Sequence, residues 1–380
     1  MTEPPPNPAL LPAGLRDLLP PDAETEAAAV EQLMQAFAAH GYQRVKPPLL
    51  EFEDGLLTGA GVALADQTFR LMDPDSQRMM GLRADMTPQV ARLATTRLAG
   101  ATRPLRLSYA GQCLRVRGSQ LAPDRQVAQA GIELIGPDLP EADAEIVVAG
   151  AEALAAVGMQ RISIDLTMPP LAQALLETGG YDAATRHALT HALDRKDAAE
   201  VTRHGGPLAG LLTDLLLAAG PADRALETMA AARLPPQAAV LTLRLADTVR
   251  AIRAQMPELK LTLDPLEFRG FRYHTGVCVT VFAPGRHEEL GRGGRYLCGD
   301  CEPATGLTLY PDAILRAAPQ SAVRPRAFVP RGAAGAAAAR AAGFATVAAL
   351  DDAEALAAAR AQGCTHLLMN GVPVPLDVSR

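Results

Sequence analysis

Nowhere in the chain do 18 apolar residues run together, so no segment reads as a membrane span. Residues 1–14 have neither a basic stretch nor an apolar run, so they do not read as a signal peptide. Like charges never form a long block, and the net charge is only −6. That balance excludes a protein that coats nucleic acid with a wholly basic surface. Cysteine is scarce: Cys113, Cys278, Cys298, Cys301 and Cys364 are five in number and scattered. An odd, dispersed set reads as reduced thiols of a cytoplasmic protein. Cys298 and Cys301 supply half of a zinc-site spacing, but no second pair completes it, so no metal or cofactor is expected. The Walker phosphate pattern and any 20–50-residue repeat are also missing. What remains is a 380-residue chain, 48% hydrophobic, long enough for one large domain and one or two small ones.

Residues 1–13 are proline-rich and read as a flexible N-terminus. Asp22 to Ala39 has acidic residues in its first turn, apolar spacing through Val30, Leu33, Met34 and Phe37, and Gly41 beyond its end, which predicts a helix. Further helices are expected at Thr87 to Leu98 and over 141–158. Strands are expected at 42–45, 105–115, 126–135, 161–167, 260–268, 277–282 and near 307–310. Residues 171–256 are rich in alanine and leucine at helical spacing. A composition break at 317–331 reads as a linker to a small α/β appendage over 332–380. Consecutive strands followed by helices predict an α+β fold with a mostly antiparallel sheet.

The densest chemistry lies in a few short stretches. Gln129, Gly131 and Glu133 fall on one face of the 126–135 strand, opposite Ala128, Ala130, Ile132 and Leu134. If that face is buried, the glutamine and glutamate need partners, and the glycine leaves room for a ligand bearing an amine or imidazole. A solvated face would need none. Asp85 and Thr87 precede a helix, where Thr87 would cap it with Asp85 beside its dipole. The same pair would equally hold an α-ammonium group. Arg269, Arg272, Tyr273 and His274 crowd into residues 269–276 between two strands, which reads as a binding loop. Residues 291–295 (GRGGR) would suit a phosphate cradle or a plain Gly/Arg turn. Residues 53–59 (EDGLLTG) loosely resemble the acidic loop that binds phosphoribosyl pyrophosphate, but Pro47 and Pro48 stand where a buried parallel strand should lead in.

These pieces, in this order, resemble histidyl-tRNA synthetase. Residues 14–20 (GLRDLLP) match that family's opening, and Gly41, Tyr42 and residues 48–51 (PLLE) resemble class II motif 1, the dimer interface. Residues 82–87 (LRADMT) resemble the segment whose acid and threonine hold histidine. The resemblance implies that Arg115 contacts the carboxylate and α-phosphate, and that Gln129 and Glu133 read histidine's amine and ring. It also implies that Arg269 and Tyr273 belong to the histidine-specific loop, with His274 beside them. Residues 293–296 (GGRY) match a further family element. The implied fold, over 14–316, is a class II aminoacyl-tRNA synthetase-like antiparallel sheet flanked by helices. A helical insertion over 171–256 and the small C-terminal α/β appendage complete it.

The departures matter as much. Arg117 stands where the family has the adenine-contacting glutamate, and Ala313 where it has the arginine that meets adenine and the γ-phosphate. Arg272 replaces an acid and His274 a second tyrosine. The appendage is much shorter than an anticodon-binding domain. This combination resembles the regulatory subunits of ATP phosphoribosyltransferase, synthetase paralogues without catalysis of their own. That implies a short-form catalytic subunit as partner in a hetero-octamer, a self-dimer through the motif 1 region, histidine as effector in the control of histidine biosynthesis, and no tRNA. Against it stand a divergent amino-acid-activating enzyme, which Ala313 and Arg117 disfavour, and a stand-alone histidine sensor.

Overall fold

The computed structural model describes residues 9–118, 123–267, 273–299, 301–318 and 324–376. The chain divides into two compact units, Met1–Pro319 and Gln320–Arg380. Among the described residues no helix is long and apolar enough to cross a membrane.

The first unit opens with α1 (Asp22–Ala39), which buries Ala29, Leu33, Met34 and Phe37 along one stripe and stops before Gly41, whose φ of +82° a helix cannot continue. Next come β1 (Gln43–Arg44), β2 (Leu50–Phe52), α2 (Glu53–Leu56), β3 (Arg70–Met72) and β4 (Met79–Leu82). Helix α3 (Thr87–Thr95) leads to the long hairpin of β5 (Leu105–Leu114) and β6 (Gln126–Ile135). After α4 (Pro140–Ala156) and β7 (Ser163–Thr167), the chain is mostly helical. It runs through α5 (Pro169–Thr178), α6 (Ala183–Asp194), α7 (Ala198–His204), α8 (Ala209–Leu217), the brief β8 (Gly220–Pro221), α9 (Ala222–Ala231) and α10 (Pro236–Gln255). The closing strands are β9 (Lys260–Asp264), β10 (His274–Phe282), β11 (Glu289–Cys298) and β12 (Glu302–Leu309), followed by α11 (Pro311–Ala317).

Nine strands form one sheet in the order β1-β5-β6-β12-β11-β10-β7-β9-β8. It is antiparallel apart from the β1–β5 and β7–β9 pairs, so the sheet is mixed. Strand β6 lies inside it, between β5 and β12. One face of β6 presents Ala130, Ile132 and Leu134 to the main core, which also holds Leu33 and Phe37 of α1 and Ile146, Val147 and Leu154 of α4. Leu107 and Tyr109 of β5, Tyr296 of β11 and Ala304 of β12 pack with Met86, Val90 and Ala94 around α3 in a second cluster. A separate three-stranded sheet, β2-β4-β3, is wholly antiparallel. The acidic loop after β2 therefore lacks the parallel-strand setting of a phosphoribosyl pyrophosphate site, and its Glu53 and Asp54 pair with Arg70 and Arg78.

The second unit is a small four-stranded α/β sheet. Strands β13 (Arg326–Val329), β14 (Ala345–Ala348) and β15 (His366–Met369) are parallel, with α12 (Ala336–Ala341) and α13 (Ala355–Ala361) as crossovers. Strand β16 (Val372–Pro375) returns antiparallel on β15. Strand β13 falls in the stretch the sequence reads as linker. Its Ala327, Phe328 and Val329 are buried, but four residues between prolines are too few to show a period.

Candidate functional site

Glu133 is the centre of a buried polar network. It faces the α3 side of the sheet and is 1% exposed. Its Oε1 accepts from Thr87 Oγ1 at 2.9 Å and lies 3.2 Å from the Tyr109 hydroxyl, while Oε2 accepts from the Tyr296 hydroxyl at 2.9 Å. Tyr109 is also 2.8 Å from Thr308 Oγ1. Burial pushes the Glu133 carboxyl up to about 8, although Tyr296, Thr87 and Tyr109 pull it back down by hydrogen bonding. Burial also raises the Tyr109 and Tyr296 phenols well above their ordinary value.

Beside this network Gln129 is fully enclosed. Its Oε1 accepts from the Met86 N–H at 3.0 Å and from Cys113 Sγ at 3.2 Å, and its Nε2 donates to Asp85 Oδ2 at 2.9 Å. Asp85 Oδ1 accepts the Thr87 N–H at 2.8 Å. Thr87 is therefore not the cap of α3: its hydroxyl goes to Glu133, and Asp85 takes up one of the helix's first N–H groups. Gly131 does not open space for a ligand. A Cβ there would sit 2.5 Å from the Tyr109 ring, so the tyrosine fills the space that the glycine leaves.

Over these residues lies a cavity of about 60 Å³, lined by Asp85, Thr87, Glu133, Tyr273, His274, Arg292, Tyr296, Gly306, Thr308 and Tyr310, with Gly293 and Gly294 on its floor. That is room for roughly four to six water-sized groups. Tyr273 stacks on His274 with ring centroids 4.2 Å apart and meets Tyr296 edge-on at 6.2 Å. Burial and the neighbouring Arg292 guanidinium lower His274 to about 3, so its ring is neutral. Burial raises Tyr310 to about 12 against the opposing charge of Arg115.

Of the eight residues singled out from the sequence, Asp85, Thr87, Glu133, Tyr273 and His274 meet around one cavity. Gln129 stands behind Asp85, and Arg115 does not line the cavity. Arg269 lies outside the described residues, as does Arg272. Tyr109 and Thr308 were not foreseen, because strand pairing between distant segments brings them here, and Arg292 was marked only within the GRGGR run. The GRGGR run makes no phosphate cradle in a turn. It is the interior of β11, where Gly293 lets the strand approach β12: a Cβ there would be 2.0 Å from Gly306 O. Arg295 faces away from the cavity, buried on Asp143 at 2.8 Å and on the carbonyls of Pro137 and Leu139. Arg83 is likewise structural, tying the Pro47 carbonyl to that of Gln112. Cys298 is buried with its thiol directed at the Ala91 carbonyl.

A family model described as histidyl-tRNA synthetase matches residues 14–314. An ATP phosphoribosyltransferase regulatory subunit of Gluconobacter oxydans is 56% identical over 98% of both chains. The chain belongs to this family of histidyl-tRNA synthetase-like regulatory subunits. A relative of the same name from Paramagnetospirillum magneticum is 56% identical over 95% of this chain and 96% of its own. A solved structure titled ATP phosphoribosyltransferase regulatory subunit/histidyl-tRNA synthetase, from Bacillus halodurans, superposes with a TM-score of 0.82 at 22% identity. It covers 97% of this chain and 99% of its own, which shows the shared class II synthetase-like fold. Ala313 is buried by α11 in the main core.

Proposed function

We propose that this chain is a non-catalytic regulatory subunit. It joins a separate catalytic ATP phosphoribosyltransferase subunit in the cytoplasm and confers control by free histidine on the first step of histidine biosynthesis. The observation that carries the reading is an asymmetry within one site. The acidic, hydroxyl-rich wall of Asp85, Thr87, Glu133, Tyr109 and Tyr296 is intact and fully hydrogen-bonded. The position for the γ-phosphate arginine holds a methyl group packed in the core. Without that cation the developing charge of an adenylation transition state goes unstabilised. Recognition of an amino acid then remains without activation of it, and this is what an effector site requires. Control is a coupling free energy between that site and the partner's reaction.

A self-dimer through the motif 1 region and a hetero-octamer with the catalytic subunit belong to the same reading. The small sheet β2-β4-β3 supports the dimer. It leaves Met72 and Met79, paired across β3 and β4, exposed on one face and Phe52 and Leu71 on the other, apolar surface of the kind that marks an interface.

The test is phosphoribosyl-ATP formation by the purified catalytic subunit, with and without this chain, then with added histidine. A higher rate that histidine suppresses supports the reading. An unchanged rate with no co-elution sinks it. Histidine-dependent exchange of pyrophosphate into ATP by this chain alone would install the amino-acid-activating enzyme in its place.

A further inference from the structure

Strand register sets out the cavity floor as two rows. Tyr109, Gly131, Thr308 and Arg292 pair in turn across β5, β6, β12 and β11. The next row, two residues along, reads Glu133, Gly306 and Gly294 on β6, β12 and β11. Strands lie about 4.8 Å apart and two residues span about 6.8 Å, so the Cα atoms of Glu133 and Arg292 stand roughly 12 Å apart on this lattice. Between them the row carries glycine at 306 and 294, with the Glu133 carboxyl lying over the first and the edge of the His274 ring over the second.

The cavity is thus two-poled. Asp85 and Glu133 form its acidic end. Among the described residues lining it, Arg292 is the arginine present, since His274 is held neutral and Arg115 does not reach the lining. Arg292 shares the inward face of β11 with Gly294 and Tyr296, and its Nη2 is steadied by Glu289 Oε1 at 2.8 Å. A guanidinium at the far end from two carboxyl groups suits a molecule carrying a carboxylate at one end and an amine or imidazole at the other.

We propose that Arg292 anchors the carboxylate of the ligand, so that the cavity takes a free α-amino acid as its zwitterion and discriminates against the corresponding amine. The proposal rests on the reading of this cavity as a histidine site and names the residue that sets its ligand class.

Calorimetric titration of the full chain with L-histidine and with histamine, which lacks the carboxylate, tests it. The unaltered chain should prefer histidine by about tenfold or more, as a charge-assisted hydrogen bond provides. Arg292→Gln should cut histidine affinity by a similar factor and leave histamine within about twofold. Arg292→Lys should recover part of the loss, because it returns the charge without the planar fork. Histamine binding retained by Arg292→Gln also reports an intact fold. Equal losses for both ligands, or an unchanged histidine affinity, would overturn the assignment and leave Arg115 or Arg269 as the anchor. Equal affinity of the unaltered chain for the two ligands would overturn it as well. An unaltered chain that binds neither would overturn the histidine-site reading beneath it.

Discussion

Glu133 and Gly306 face each other across β6 and β12, and a Cβ on residue 306 would lie 1.9 Å from Glu133 Oε2. The carboxyl occupies the place where any other side chain would begin. Gly306→Ala must therefore push Glu133 off its three hydroxyl partners or shift the strand. Overpacking of this kind costs about 1–3 kcal/mol. Urea unfolding should show that loss, and calorimetry should show histidine binding weakened beyond it.

Glu133 also makes stability depend on pH. Burial raises its carboxyl from 4.5 to about 8, so over that window the folded chain holds a proton that the unfolded chain has released. Stability relative to Glu133→Gln should be level below about pH 4.5, fall as pH rises to about 8, and level off above. The slope reaches at most about 1.4 kcal/mol per pH unit. Chemical denaturation of both proteins at several pH values measures it. A cationic group bound beside Glu133 reverses the shift, so histidine binding at pH 7 should release a proton. Titrations in buffers of different ionisation enthalpy would expose a binding step without proton release.

The buried pair Arg295–Asp143 should be costly to break. Both side chains are buried, and Arg295 also fills the carbonyls of Pro137 and Leu139 that lead into α4. Arg295→Met leaves the buried Asp143 carboxyl without its main partner and should cost about 3–5 kcal/mol. The double variant Arg295→Met with Asp143→Leu should lose less than the single one. Thermal and urea unfolding of the set decide this, and a double variant as unstable as the sum of the singles would remove the argument.

How far the sequence speaks depends on the range of the forces involved. Helix α1 and strand β6 coincide with their expected spans, 22–39 and 126–135, because each carries its own period and its own stops. That Gln129 and Glu133 share a face was legible for the same reason. What they touch was not. Tyr109 over Gly131, and Gly306 under Glu133, follow from register between strands far apart in the chain. The sequence left open whether this face met solvent, and α3 packing beside it settles that it does not. Asp85 and Thr87 were both marked, yet their roles are exchanged, since a threonine near Glu133 serves the carboxyl before the helix.

Self-association should follow the small antiparallel sheet. Met72 of β3 and Met79 of β4 pair across that sheet and are both exposed on one face. Met72→Glu places a charge in that patch and should weaken the dimer by at least about tenfold. Sedimentation velocity over a dilution series reads the change. Histidine binding should survive, because the substitution is confined to a different sheet from the cavity floor.

Restoring the missing arginine should not restore amino-acid activation. Ala313 is 4% exposed and sits in the main core with Ile314, while the neighbouring Asp312 accepts the Ala128 N–H at 3.0 Å and holds α11 to the start of β6. An arginine at 313 has to bury its guanidinium or displace α11, and either is expensive. Ala313→Arg should lower stability by about 2 kcal/mol or more, within the range for a polar group buried without partners. It should leave histidine-dependent exchange of pyrophosphate into ATP at background, because Arg117 still stands where the resemblance implies an adenine-contacting glutamate. Measured exchange above background in this single variant would mean that the loss of activation rests on residue 313 alone and that α11 can yield the room an arginine needs.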